Sequence, residues 1–182
     1  MAWEAGECAV QYRNKAWDRG RDLREAKEIS ALAERSGNCL IVNDRIALAF
    51  ELRARGVHLG KGDGGPVEAA EVLGPDAIIG VTVHSMAELR ALAGANIDYI
   101  GVGPVFGTTS KTTGLPDLGL DGLAEIAHSS PWPVIAIGGI GSGQVPAVIA
   151  AGAYGVAVVS AFCHSPDPVR VASEILVQLA RA

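Results

Sequence analysis

Three features predict an α/β fold of the TIM (β/α)8 barrel type. Short β-branched apolar runs alternate with longer segments of helical period along the whole chain. Most of the runs are continuously apolar, the mark of parallel strands covered on both faces. Polar residues gather just past the C-terminal end of nearly every run: Asn43 and Asp44, Lys61 and Asp63, Thr82 and His84, Thr108 to Lys111, Gly138 to Ser142, and Ser160. Strict β-α alternation also allows an open doubly wound sheet, but that architecture concentrates its chemistry at the strand ends flanking one switch point. A barrel uses the ends of all its strands, so polar clusters on most of them favour the barrel.

The predicted strands are Cys8–Arg13, Cys39–Asn43, Gly56–Leu59, Ala77–His84, Tyr99–Phe106, Pro133–Ile140 and Gly155–Ala161. Between them, apolar residues at helical spacing predict helices over Arg21–Ser36, Arg45–Arg55, Pro66–Leu73, Ser85–Ala95, Leu118–His128 and Ser142–Gly152, with a last helix over Pro168–Ala182. Ser85 followed three residues later by Glu88 has the form of a capping box. Gly152 is a stop signal after Ala150 and Ala151.

The chain has 182 residues, 19% of them charged, with a formal net charge of −5. A single domain spanning residues 1–182 is the expectation at this length, and it can bury about 70% of the surface its unfolded chain exposes. The mild acidity argues against a nucleic-acid-binding protein, which calls for a basic face. Cys8, Cys39 and Cys163 are odd in number and share no metal-binding spacing, which fits a reducing compartment. The first residues lack a basic segment followed by an apolar run, and even Val145–Ala161 is broken by glycines and a tyrosine. A cytoplasmic protein without a membrane partner is expected.

Four constellations carry chemistry. Alternation along the first strand puts Gln11, Arg13 and Lys15 on one face, away from Tyr12. Two cations and an amide there can grip a phosphate, although a solvated strand end explains them equally well taken alone. Asp44 and Asp63 follow neighbouring strands, and two such carboxylates can share Mg²⁺, with substrate phosphate and water completing its shell. Separately, Asp44 reads as a helix N-cap and Asp63 as a turn former. The loop from Gly103 to Lys111 brings Thr108, Ser110 and Lys111, all suited to phosphate oxygens. Gly138, Gly139 and Gly141, ahead of a helix, leave backbone N–H groups open to an anion, and Val159 and Ser160 follow the last strand. A dinucleotide reading of these glycines fails, because Val158 stands where an acidic residue is needed.

Of the histidines, His58 reads as structural, His84 as a candidate for a supporting role, and His128 and His164 as surface residues. No Ser–His–Asp order or Cys–His pair supports nucleophilic catalysis. Two phosphate grips and a carboxylate pair suit a diphosphate and a monophosphate bound together. That points to transfer away from a diphosphate leaving group, with cations absorbing the developing charge.

The runs VQYRNK, IVNDR, GVHLGKGD, IIGVTVH, YIGVGPVFGTTSK, PVIAIGGI and GVAVVSA occur in the order and spacing of the thiamine phosphate synthase family, which the chain resembles from about Cys8 to its C-terminus. The resemblance implies a transferase of thiamine biosynthesis that joins hydroxymethylpyrimidine diphosphate to a thiazole phosphate and releases pyrophosphate. It implies that Gln11, Arg13, Lys15, Asn43, Thr82 and Lys111 hold the pyrimidine diphosphate, with Arg13, Lys15 and Lys111 as the catalytic cations. It implies Mg²⁺ on Asp44 and Asp63, and the thiazole phosphate on Thr108, Ser110, Gly139, Val159 and Ser160. In that family the pyrimidine-side C–O bond breaks first, and the thiazole nitrogen captures the carbocation. The sequence shows no obvious general base, in agreement.

Tyr12 and Asn14 stand where the family usually has Leu and Glu, and Lys61, Thr82, Gly107 and Ser110 replace Gln, Ser, Pro and Thr. The family's opening strand and most of its first helix have no counterpart ahead of VQYRNK, so the expected barrel lacks them and shows seven strands. A thiazole tautomerase, the sister family, usually lacks the Asp pair and the threonine–lysine loop, so Asp44, Asp63 and Lys111 favour the synthase. A non-catalytic phosphate-binding remnant is the other alternative. The expected partners are two small-molecule substrates, with a homo-oligomer left open.

Overall fold

The computed structural model describes residues 8–14, 18–107, 114 and 116–181. The chain divides into two compact units, one of residues 7–81 and 95–98, the other of residues 1–6, 82–94 and 99–182.

The first unit starts with β1 (Ala9–Tyr12), α1 (Arg19–Arg35), β2 (Cys39–Asn43), α2 (Ile46–Leu52), β3 (Gly56–Leu59) and α3 (Pro66–Leu73), and reaches into β4 (Ile78–Val83). Hydrogen-bonded order follows chain order and every pairing is parallel: Val10 with Leu40, Val42 with Val57, Val57 with Ile79. The strands bury Leu40, Ile41, Val42, Val57, Leu59 and Ile79. Helix α1 turns a stripe of Asp22, Ala26 and Ala33 inward at helical spacing, and the two alanines are small enough to let the helix lie close on its neighbours. Its N-cap is Asp18, whose side chain accepts the Arg21 N–H, so the helix begins two residues before the expected start at Arg21. Asp98 closes the unit by accepting the Ile79 N–H at 2.7 Å while its own N–H donates to the Ile79 carbonyl at 2.8 Å.

The second unit takes the end of β4 and continues with α4 (Met86–Ala91), β5 (Tyr99–Val102), α5 (Gly119–Ser129), β6 (Val134–Ile137), α6 (Val145–Ala150), β7 (Gly155–Ala157), α7 (Ser160–Cys163) and α8 (Pro168–Leu179). Strands β5, β6 and β7 are parallel neighbours in chain order. Their core is Ile100, Val102, Val134 and Ala136, covered by Leu123 and Ile126 of α5 and Val145 and Val148 of α6. Ser85 caps α4 by accepting the Glu88 N–H at 3.2 Å. The reciprocal bond of a capping box is displaced by one residue, since Glu88 Oε2 accepts from the His84 N–H at 2.7 Å.

Strands β2 and β3 and helix α3 have the expected bounds, whereas the other five strands are shorter than expected, β1 and β4 by one residue at each end and β5, β6 and β7 by four residues each. β5 stops at Val102 because Pro104 has no N–H for the ladder, although Val105 and Phe106 donate to Ile137 and Gly138 farther on. β7 stops at Ala157, and the expected strand residues Ser160 and Ala161 belong to α7, which was not foreseen. There the Val159 carbonyl turns into the helix and accepts from Phe162 and Cys163. The expected helix Ser142–Gly152 opens as a 3-10 turn over Ser142–Gln144 and becomes α-helical only at Val145.

Candidate functional site

In the first unit the strand ends carry the candidate residues. Along β1, Tyr12 is 7% exposed while Gln11 and Arg13 face solvent, the alternation expected of them. Lys15 lies outside the described residues. Asn43, the last residue of β2, is half-buried and stands in register with His58 of β3. Asp44 follows at φ 66, a left-handed conformation that Asp tolerates better than most residues, and its N–H donates to the His58 carbonyl at 2.8 Å. The N-cap reading of Asp44 is overturned. Arg45 holds the N-cap position of α2 and makes no side-chain cap bond, because a guanidinium has no acceptor for the first-turn N–H groups.

Asp63 forms the expected turn: its Oδ2 accepts the Gly60 N–H at 2.9 Å, and its own N–H donates to the Gly60 carbonyl at 3.3 Å. A methyl group on Gly60 would sit 2.8 Å from Asp63 Oδ2 and 4.0 Å from Asp44 Oδ1. One point beside Gly60 therefore lies within a few ångströms of both carboxylates. Among the described residues no cluster of three or more His, Cys, Asp or Glu side chains is suited to a metal ion. Two hard oxygen donors are what Mg²⁺ takes from a protein when phosphate and water supply the rest, so this pair fits Mg²⁺ and fits a soft or all-protein metal site poorly. A cleft of about 650 Å³ opens beside α2 and α3, lined by Arg45, Ile46, Leu48, Asp63, Gly64 and Glu68, and Asp63 is the one candidate residue on its wall.

One polar group here escaped the sequence reading. Asp22 is completely buried, yet its Oδ1 accepts from Asn14 Nδ2 at 3.0 Å and from Arg21 Nε at 3.4 Å, and its Oδ2 from the Asp18 N–H at 2.9 Å. Beside it, the Tyr12 hydroxyl donates to Glu25 Oε2 at 2.9 Å. Burial first, and then that carboxylate, push the Tyr12 hydroxyl up to about 12. The available signal was positional: Asp22 lies on the same helical stripe as Ala26 and Ala33.

In the second unit, Thr82 is half-buried at the end of β4. His84 follows β4, and its Nδ1 contacts the Gly103 carbonyl. Gly139 is exposed at φ 64, and a Cβ there would lie 2.7 Å from the Phe106 carbonyl oxygen. At Gly138 it would lie 2.7 Å from Pro104 Cα, and at Gly103 2.1 Å from the Ile137 carbonyl oxygen. These glycines let the segments after β5 and β6 lie directly against each other. Of the backbone N–H groups expected to face an anion, that of Gly141 is already taken by Gln144 Oε1 at 3.0 Å. Val159, 47% exposed, and the half-buried Ser160 stand at the start of α7. Thr108, Ser110 and Lys111 lie outside the described residues.

His128 and His164 are exposed, as expected. The thiols of Cys8, Cys39 and Cys163 are free, and burial, with a smaller push from Cys39, raises the Cys8 thiol away from its reactive form. No helix among the described residues is long and apolar enough to cross a membrane.

Residues 1–162 match the family model described as thiamine monophosphate synthase. The thiamine-phosphate synthase of Vibrio campbellii is 37% identical over 99% of this chain and 88% of its own length. The bifunctional ThiM/ThiE protein of Symbiobacterium thermophilum is 42% identical over 98% of this chain, which spans only 37% of that relative. Among solved structures, a thiamine phosphate pyrophosphorylase from Pyrococcus furiosus superposes with a TM-score of 0.84 at 31% identity, covering 99% of this chain and 86% of that one. The fold class is accordingly the α/β, TIM-barrel type read from the strand pattern, and the chain belongs to the thiamine monophosphate synthase family.

Proposed function

We propose that the chain is a Mg²⁺-assisted thiamine phosphate synthase, transferring a hydroxymethylpyrimidine group from its diphosphate to a thiazole phosphate. The observation that carries this reading is the convergence of Asp44 and Asp63 beside Gly60, in the same unit as the exposed Gln11 and Arg13. The bond that breaks joins the pyrimidine's methylene carbon to the diphosphate oxygen, and both electrons leave with pyrophosphate. The bond that forms takes the lone pair of the thiazole nitrogen. No proton must be removed from the nucleophile, so the burden falls on stabilising the leaving charge.

Arg13 forks onto diphosphate oxygens, Lys15 and Lys111 add point charges, and Gln11, Asn43 and Thr82 orient the pyrimidine diphosphate. Asp44 and Asp63 would hold Mg²⁺, which supplies charge neutralisation at the departing diphosphate. Thr108, Ser110, Gly139, Val159 and Ser160 hold the thiazole phosphate through hydroxyl and backbone N–H groups. In this reading the chain works in the cytoplasm on two phosphorylated small molecules.

The test is thiamine phosphate formation from the two purified substrates. Turnover should require Mg²⁺, and Asp44→Ala should lower kcat/KM by about 100-fold or more, about 2.7 kcal/mol of transition-state stabilisation. Metal-independent turnover that survives Asp44→Ala would sink the proposal. Conversion of the thiazole phosphate alone would point to a tautomerase instead.

A further inference from the structure

We propose that Asp22 is a positioning residue for the diphosphate grip, its buried carboxylate tying Asn14 to Asp18 and so holding the backbone that carries Arg13. The inference rests on the reading of Arg13 as a diphosphate ligand. Asp22 is the one buried charged or polar residue among those described, and a carboxylate leaves water at high cost unless its oxygens are met by donors. They are met here by the side-chain amide of Asn14, the backbone N–H of Asp18 and the guanidinium of Arg21.

Two of those donors bracket the connection between β1 and α1. Asn14 is the neighbour of Arg13 on the strand side, and Asp18 is the N-cap of α1 on the helix side. One anion therefore holds both Asn14 and Asp18, and the helix that carries it is anchored by the inward stripe of Ala26 and Ala33. Arg13 is exposed, with no buried packing of its own to hold it. Its backbone takes its place from Tyr12, which is buried and bonded to Glu25 of α1, and from Asn14, which is bonded to Asp22. An arginine recognises a diphosphate through a planar fork whose aim matters, so a backbone held at both neighbours loses less freedom on binding. The polarity of the link is fixed too: an ionised carboxylate only accepts, so residue 14 must donate.

The test compares Asp22→Asn, Asn14→Ala, the exchanged pair Asn14→Asp with Asp22→Asn, and Arg13→Ala, all assayed below their melting temperatures. Asp22→Asn keeps the shape but cannot accept at both positions. It should raise KM for the pyrimidine diphosphate by about 10-fold and leave KM for the thiazole phosphate within about 2-fold. Asn14→Ala should do the same, and it carries the test if Asp22→Asn fails to fold. The exchanged pair restores one donor and one acceptor across the link and should recover most of the loss. Calorimetry with inorganic pyrophosphate and Mg²⁺ should show the same ranking of affinities. An unchanged diphosphate KM in folded Asp22→Asn, or a parallel rise for both substrates that the exchange does not reverse, overturns the proposal. If Arg13→Ala itself leaves the diphosphate KM unchanged, the grip reading fails instead.

Discussion

Replacing Gly60 by alanine isolates the carboxylate pair from the rest of the fold. The backbone at Gly60 is outside the left-handed region, so alanine meets no conformational strain there. The added methyl lands 2.8 Å from Asp63 Oδ2, closer than a carbon and an oxygen can approach without bonding. The atom in its way is the far end of a flexible side chain, so the fold yields cheaply and the carboxylate moves. In moving, Asp63 lengthens or loses its 2.9 Å bond from the Gly60 N–H and leaves the point it shares with Asp44. A hydrogen bond to a charged acceptor contributes about 1.5–3 kcal/mol, and Mg²⁺ tolerates little displacement of its ligands. A loss of about 1.4 kcal/mol in metal affinity is a tenfold rise in the half-activating Mg²⁺ concentration. The assay is initial rate of thiamine phosphate formation against Mg²⁺ concentration, beside a melting curve of the variant. A half-activating concentration equal to that of the unaltered chain, in a protein that melts normally, would refute the shared-cation reading.

The second unit has its own glycine test. Gly139→Ala forces a left-handed conformation on alanine and drives its methyl against the Phe106 and Gly107 carbonyls. A cost of about 2–4 kcal/mol, seen as a lower urea midpoint, follows from strain plus overpacking. The stability profile should also carry an alkaline limb from Tyr12. Its neutral hydroxyl is favoured in the fold, so its contribution is intact below the ordinary tyrosine value near ~10 and declines as pH rises toward about 12. Tyr12→Phe removes this limb. The stability difference between the two proteins should therefore shrink over that range in pH-dependent urea melts.

Fold and site differ in how much of each can be read from sequence. Strands β2 and β3 and helix α3 are bounded by changes of residue type, from apolar runs to Asn43, Gly60 or Gly74, and sequence pattern finds such boundaries. The end of β5 was legible too, in Pro104, whereas β7 is bounded by hydrogen bonding, which composition does not report: Val158 and Val159 are as apolar as the strand before them, yet the chain turns into α7. Alternation placed Gln11 and Arg13 opposite Tyr12 because a two-residue period is a local property. The left-handed turn at Asp44 is another matter, since it depends on the His58 carbonyl of a neighbouring strand. Asp22 is the instructive miss. An acidic residue in the first turn of a helix reads as a partner for the helix dipole, and only the stripe it shares with Ala26 and Ala33 says that it points inward.

The back-to-back glycines after β5 and β6 bear on how such a protein can evolve. At Gly103, Gly138 and Gly139 even a single added carbon meets backbone atoms, which cannot rotate out of the way as a side chain can. Point mutation at any of the three is closed off until the opposing segment moves as well, so one route to a new ligand is barred at three adjoining places. Exposed Val159 carries no such restriction. Under the proposed function, a lineage drifting toward a different phosphorylated substrate records its changes at open positions of that kind and leaves the glycine contact fixed.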